Sequence, residues 1–105
     1  MSEATLLGNK PVIFSGSAKH SRNSKYRSGK LFLLPDELVF QSDGFHFKND
    51  TTRIGLYEIK EVKSFTTLLI IPNGLSIITR DGNQEDFILN NRREWKEKIE
   101  QMIEK

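Results

Sequence analysis

The sequence holds no cysteine, so disulfides and cysteine-based metal sites are excluded, and a reducing compartment fits. It holds no apolar run of the ~18–20 residues that a spanning helix needs, so no transmembrane segment is expected. Its start, Met1-Ser2-Glu3-Ala4-Thr5, lacks the basic region and apolar stretch of a signal peptide, and the expected address is the cytoplasm. Histidine is limited to His20 and His46, and neither stands with a nucleophile motif such as Gly-x-Ser-x-Gly. Gly8 and Gly16 are isolated, so there is no phosphate-cradling glycine loop. Asp81, Asn83, Glu85 and Asp86 mimic the opening of a calcium loop. Its sixth position, however, is Asp86 where glycine is needed, and its twelfth is Arg92 where glutamate is needed, so it reads as an acidic turn. With no nucleophile–base set, the chain is expected not to be an enzyme and to need no cofactor or metal.

A further absence is regional. Between Glu3 and Asp36 there is no acidic residue, while Lys10, Lys19, Arg22, Lys25, Arg27 and Lys30 all lie there, with His20 among them. From Asp36 onward the ten Lys and Arg residues are outnumbered by thirteen Asp and Glu, so the excess positive charge belongs to the first third. A one-signed segment on a nearly neutral body points to an anionic partner, against the plainer reading of a solvated basic loop.

The 105 residues suffice for one domain with one core: a loose lead-in over 1–10, then a single domain over 11–105. Val12-Ile13-Phe14 reads as the first strand. Ser15 to Ser28 is polar, basic and free of leucine, isoleucine and valine, and reads as a long loop. Leu31-Phe32-Leu33-Leu34, Pro35-Asp36-Glu37 and Leu38-Val39-Phe40 form a strand, turn and strand. Phe45-His46-Phe47-Lys48 alternates as a half-buried strand, with His46 outward. Ile54 and Leu56 belong to another strand, and the spacing of Leu56, Ile59 and Val62 predicts a brief helical turn or bent joint. Phe65–Ile71 and Leu75–Thr79 read as a hairpin turning at Pro72-Asn73-Gly74. Asp81-Gly82-Asn83 turns again into Phe87-Ile88-Leu89. Asn91 followed by Glu94 marks a helix start, Trp95, Ile99, Met102 and Ile103 share one helical face, and Glu94 and Lys98 form a favourable pair. About seven strands and one closing helix give a mainly β fold.

Several of these segments resemble the GRAM domain of the pleckstrin-homology-like superfold. Gly29-Lys30-Leu31-Phe32-Leu33 leading into Leu38-Val39-Phe40 is similar to its first hairpin. Ile54-Gly55-Leu56-Tyr57-Glu58-Ile59-Lys60-Glu61-Val62 is similar to its isoleucine, leucine, isoleucine, valine stretch. Leu69-Ile70-Ile71-Pro72-Asn73-Gly74-Leu75 and Asn90-Asn91-Arg92-Arg93-Glu94-Trp95 resemble bacterial members. Pro35, where many members carry threonine, and the polar tract Asp50–Arg53 depart from the pattern. The resemblance covers about residues 12–103. It implies a seven-stranded, partly open barrel capped by a C-terminal helix, with Gly29, Gly74, Asn91 and Trp95 as structural residues.

The resemblance also implies a binding module. Lys19 followed by Lys25-Tyr26-Arg27 resembles the basic spacing with which pleckstrin-homology domains hold phosphoinositides. Arginine can grip a phosphate in two places, which suits an anionic headgroup. The candidate anion or lipid site is therefore Lys19, Arg22, Lys25, Arg27 and Lys30, on a basic loop over 19–30. Such a site would place the chain peripherally at a membrane. Tyr26 could insert at a headgroup, against the plainer reading of an exposed side chain. The alternative is a protein-interaction domain with no lipid ligand, a homodimer included. A nucleic-acid role is less favoured: Phe45 and Phe47 could stack bases, but alternating strand aromatics read as core.

Overall fold

The computed structural model describes residues 8–22, 25–43, 51–68 and 70–103. Seven strands come first: β1 (Phe14–Arg22), β2 (Lys25–Leu33), β3 (Glu37–Ser42), β4 (Thr51–Gly55), β5 (Ile59–Thr67), β6 (Ile71–Thr79) and β7 (Gln84–Leu89). One helix, α1 (Arg92–Ile103), follows. The strands form an antiparallel sheet in the order β4-β3-β2-β1-β7-β6-β5, curled into a half-barrel.

Period-two alternation builds the core. Leu31 and Leu33 of β2, Leu38 and Phe40 of β3, Leu75 and Ile77 of β6, and Phe87 and Leu89 of β7 all turn inward and are buried. Trp95 and Ile99 of α1 close the open side at 0% exposure, with Met102 and Ile103 packed beside them. The Trp95 ring lies 4.6 Å from that of Phe14, tilted by 58°. Each such burial contributes ~1.5–3 kcal/mol, so the helix is part of the domain's core rather than an appendage.

The connections follow their local chemistry. Leu34 N donates to Glu37 O at 2.9 Å, closing the turn that Pro35 presets. Leu56–Glu58 is a 3-10 turn in which Glu58 accepts from Gly55 N at 2.8 Å. It buries Leu56, with Ile59 and Val62 following on the same core, as their spacing predicts. Gly82, with φ of +93°, makes the β6–β7 turn, where the Thr79 hydroxyl donates to Asp81 and accepts from Asn83 N at 3.1 Å. At the start of α1, Asn91 Nδ2 donates to Glu94 Oε1 at 3.3 Å, and Trp95 N donates to Asn91 O. The ion pair on α1 is Lys96–Glu100 at 2.8 Å; Lys98, assigned to Glu94 by sequence, holds its ammonium 5.0 Å from the centre of the Phe14 ring.

Two sequence expectations are overturned. The first strand does not stop at Phe14, and Ser15–Ser28 is not a loop. Instead β1 and β2 pair over nine rungs, from Phe14 opposite Leu33 to Arg22 opposite Lys25. Among the described residues of the stretch only Ala18 and His20 of β1 reach the core, at 6% and 4% exposure, and residues 25–28 are all exposed. The hairpin outruns the core, so it carries no apolar alternation to betray it. The second correction concerns Pro72-Asn73-Gly74, which is not a turn but the early part of β6. The chain reverses between Thr67 and Ile71, with Leu68 at φ +51° and Ile70 N donating to Thr67 O at 3.1 Å. Asn73 accepts from the Thr67 hydroxyl at 2.8 Å. Gly74 sits opposite Phe65, whose ring fills the room a Cβ would take, with Cζ only 2.5 Å from it. The expected strand at Phe45–Lys48, with His46, lies outside the described residues.

Candidate anion-binding hairpin

The five candidate cations sit on the β1–β2 hairpin, and its register divides them between two faces. Arg27 pairs with His20, whose side chain is buried, so Arg27 shares the inner face; Lys25, two residues earlier, alternates to the same side. Lys19 pairs with Ser28, and Lys30 with Ser17, on the outer face. Arg22 stands opposite Lys25 at the hairpin's end. The expected single basic loop is thus a two-faced ribbon. Lys10 does not join it: its ammonium lies 3.1 Å from Asp36 and 2.8 Å from Glu37, and those bonds raise its pKa above the usual value.

His20 anchors the inner face. Its ring stacks on Phe87 at 4.8 Å and tilts against Phe40 at 5.2 Å. Its Nε2 lies 2.7 Å from Glu85 Oε1, and because a carboxylate only accepts, that nitrogen donates. No local sequence signal could have found this pair, because 65 positions separate its members.

On the outer face, Ser17, Lys19, Ser28, Asp43, Ile88 and Asn90 line a shallow depression of about 270 Å³. Lys19 and two hydroxyls suit an anion there, with Asp43 as the opposing charge. The Lys30 ammonium lies 5.5 Å from the centre of the Phe32 ring. Tyr26, on the same face, is 45% exposed, and its hydroxyl is held above its usual pKa by desolvation, with Asp86 adding to the effect. Sequence reading missed Ile88 and Asn90, which the β1–β7 pairing of Lys19 with Ile88 brings near, and Asp43, whose N donates to Ser28 O at 3.0 Å. Among the described residues, no group of three His, Asp or Glu side chains is placed to hold a metal ion. Nor is any helix among them long and apolar enough to cross a membrane.

No family model and no curated protein matches this sequence. Solved structures do match in shape. The C-terminal domain of an unknown protein from Leishmania infantum superposes with a TM-score of 0.82 at 18% identity, covering 97% of this chain and 92% of that one. The Vps36 N-terminal PH domain gives 0.74 at 12% identity, over 92% of this chain and 81% of its own. The Slm1-PH domain, solved in complex with phosphoserine, gives 0.71 at 14% identity, over 90% and 97%. Seven antiparallel strands curled into a half-barrel and closed by a C-terminal helix, matched over nearly the whole chain, give this protein the pleckstrin-homology-like fold.

Proposed function

We propose that the chain is a non-catalytic binding module of the GRAM type that docks anionic phospholipid headgroups through the β1–β2 hairpin. The observation that carries this reading is the hairpin itself. It projects beyond the core, it is free of acidic residues from Phe14 to Leu33, and it bears Lys19, Arg22, Lys25, Arg27 and Lys30. Residues 25–28 are all exposed, so its tip faces solvent rather than the core. Near an anionic leaflet each cation contributes about 1 kcal/mol. The Slm1-PH domain, which shares this fold at 15% identity, has been solved with inositol-4-phosphate, which supports a headgroup as the ligand class.

The test is flotation with phosphatidylcholine vesicles, with and without phosphatidylserine, at low and physiological salt. Lys25→Glu/Arg27→Glu reverses the inner face, and Lys19→Glu/Lys30→Glu the outer. The expected result is salt-sensitive binding to anionic vesicles only, lost in at least one double variant. Wild-type protein that stays soluble under every condition overturns the lipid reading and turns attention to a protein partner.

A further inference from the structure

The β5–β6 turn exposes apolar side chains that the fold does not use. Leu68 is 80% exposed, Ile70 79% and Ile71 38%. Leu68 also holds a φ of +51°, a region that favours glycine or asparagine. The Thr67 hydroxyl donates to Asn73, and its carbonyl accepts from Ile70 N. A water-exposed leucine held at positive φ has no account in folding.

The tip joins β5 and β6, the two strands that lie beyond β7 across the sheet from Lys19. A row of paired residues runs Lys19, Ile88, Gly74, Phe65 across four strands. At about 4.8 Å per strand and 3.3 Å per residue, the tip is roughly 17 Å from Lys19. Asn90 joins the two regions: it borders the depression at Lys19 and also a second one, of about 480 Å³, that reaches Pro72 beside the tip. Arg92, Arg93, Glu94 and Glu97 also line that second depression. The three side chains present on the order of 350 Å² of apolar surface, a size associated with functional patches but well below the ~800 Å² per side of a stable protein interface. An apolar tip beside an outer-face lysine suits a surface that is anionic above and apolar beneath.

We propose that Leu68, Ile70 and Ile71 insert into the bilayer while the outer face of the hairpin, at Lys19, meets the headgroups. This rests on the lipid-docking reading and deepens it. It fixes which side of the domain faces the membrane and adds an apolar anchor to an electrostatic contact.

The absence of native cysteine permits a direct test. A single cysteine at Ile70 is labelled with an environment-sensitive fluorophore, and a second protein is labelled at Tyr57, which is 79% exposed. Tyr57 adjoins Arg80, at the far end of β5 and β6, roughly 26 Å from the tip at 3.3 Å per residue. Phosphatidylcholine–phosphatidylserine vesicles are expected to shift emission to the blue at position 70 and leave position 57 unchanged. Leu68→Asn, whose new side chain suits the backbone there, is expected to fold normally and to weaken vesicle affinity by roughly tenfold or more. Vesicle binding with no shift at position 70, or with a shift at position 57 alone, overturns the insertion and leaves lipid docking standing. No vesicle binding at all overturns both.

Discussion

Gly29→Ala is expected to part β2 from β3, where the two strands approach too closely for a side chain. Gly29 pairs with Ala18 on one side and Ser42 on the other. A Cβ built on it would run into Gln41 O, lie 2.6 Å from Phe40 Cζ and 2.8 Å from Ser42 Cα. Two of these are backbone atoms of β3, so no rotamer change clears them and the strands must part. Such overpacking costs about 1–3 kcal/mol and occasionally more. The alanine stiffens the unfolded chain, which returns ~0.4–1 kcal/mol. Gly16→Ala is the matched control. It carries the same unfolded-state gain, but its Cβ would meet only the Trp95 ring, at 3.8 Å from Nε1 and 3.9 Å from Cζ2, ordinary contacts. That gain cancels between the two variants, which should therefore differ by about 1–3 kcal/mol, with Gly16→Ala neutral or slightly stabilised. Urea unfolding at unchanged slope reads the difference directly. Equal midpoints for the two would refute the claim that only glycine fits at position 29.

Trp95→Ala should cost about 3–5 kcal/mol in the same assay, as a buried aromatic truncation; a loss below ~1 kcal/mol would mean α1 does not close the barrel. Asn73→Ala should cost about 0.5–1.5 kcal/mol by leaving the Thr67 hydroxyl without its partner, and no change in melting would show that this bond does not hold the tip. The bond from Thr79, and then that from Asn83 N, lowers the Asp81 carboxyl below its usual value. A depressed folded pKa gives stability that is present above the unfolded value near 3.8 and is lost as pH falls through the folded one. Thr79→Val should accordingly raise the Asp81 pKa toward 3.8, read from its carboxyl NMR shift against pH; an unmoved titration would refute the assignment.

What the sequence disclosed was whatever the core imposes. The hairpin at Pro35, the joint at Leu56, Ile59 and Val62, and the helical face of Trp95 and Ile99 all carry spacing that burial enforces. Where burial does not reach, the signal vanished. The inward positions of β1 beyond Phe14 hold Gly16, Ala18 and His20, and residues 25–28 are exposed, so the nine-rung pairing left no apolar alternation, and an ordered ribbon was indistinguishable from a polar loop. Pro72-Asn73-Gly74 misled for the opposite reason. Its residues have turn chemistry, yet Gly74 is there to admit the Phe65 ring, and the reversal is made by a leucine in a conformation few leucines adopt. The cations of the candidate site were visible as residues. Their division between faces depends on parity along strands whose existence was not visible.

That division changes the energetics of docking. A single loop bearing five cations would offer about 5 kcal/mol to an anionic leaflet, at ~1 kcal/mol each. A two-faced ribbon cannot present both faces to one flat surface. Whichever face docks brings two or three of the cations within reach, or about 2–3 kcal/mol. Because those side chains stay largely in water, that contribution falls with salt. Charge alone then gives a transient contact. On the inner face the basic residues stand beside His20 and Glu85, with the acid answering part of the field. On the outer face Lys19 has Leu68, Ile70 and Ile71 within roughly 17 Å at strand spacing, and these add an apolar contribution that salt does not screen. Burying even half of a ~350 Å² patch at 25 cal/mol per Å² adds about 4 kcal/mol, more than the cations of one face supply. If the outer face docks, binding should retain a salt-independent remainder that disappears in Leu68→Asn. If the inner face docks, salt should abolish binding completely and Leu68→Asn should be silent.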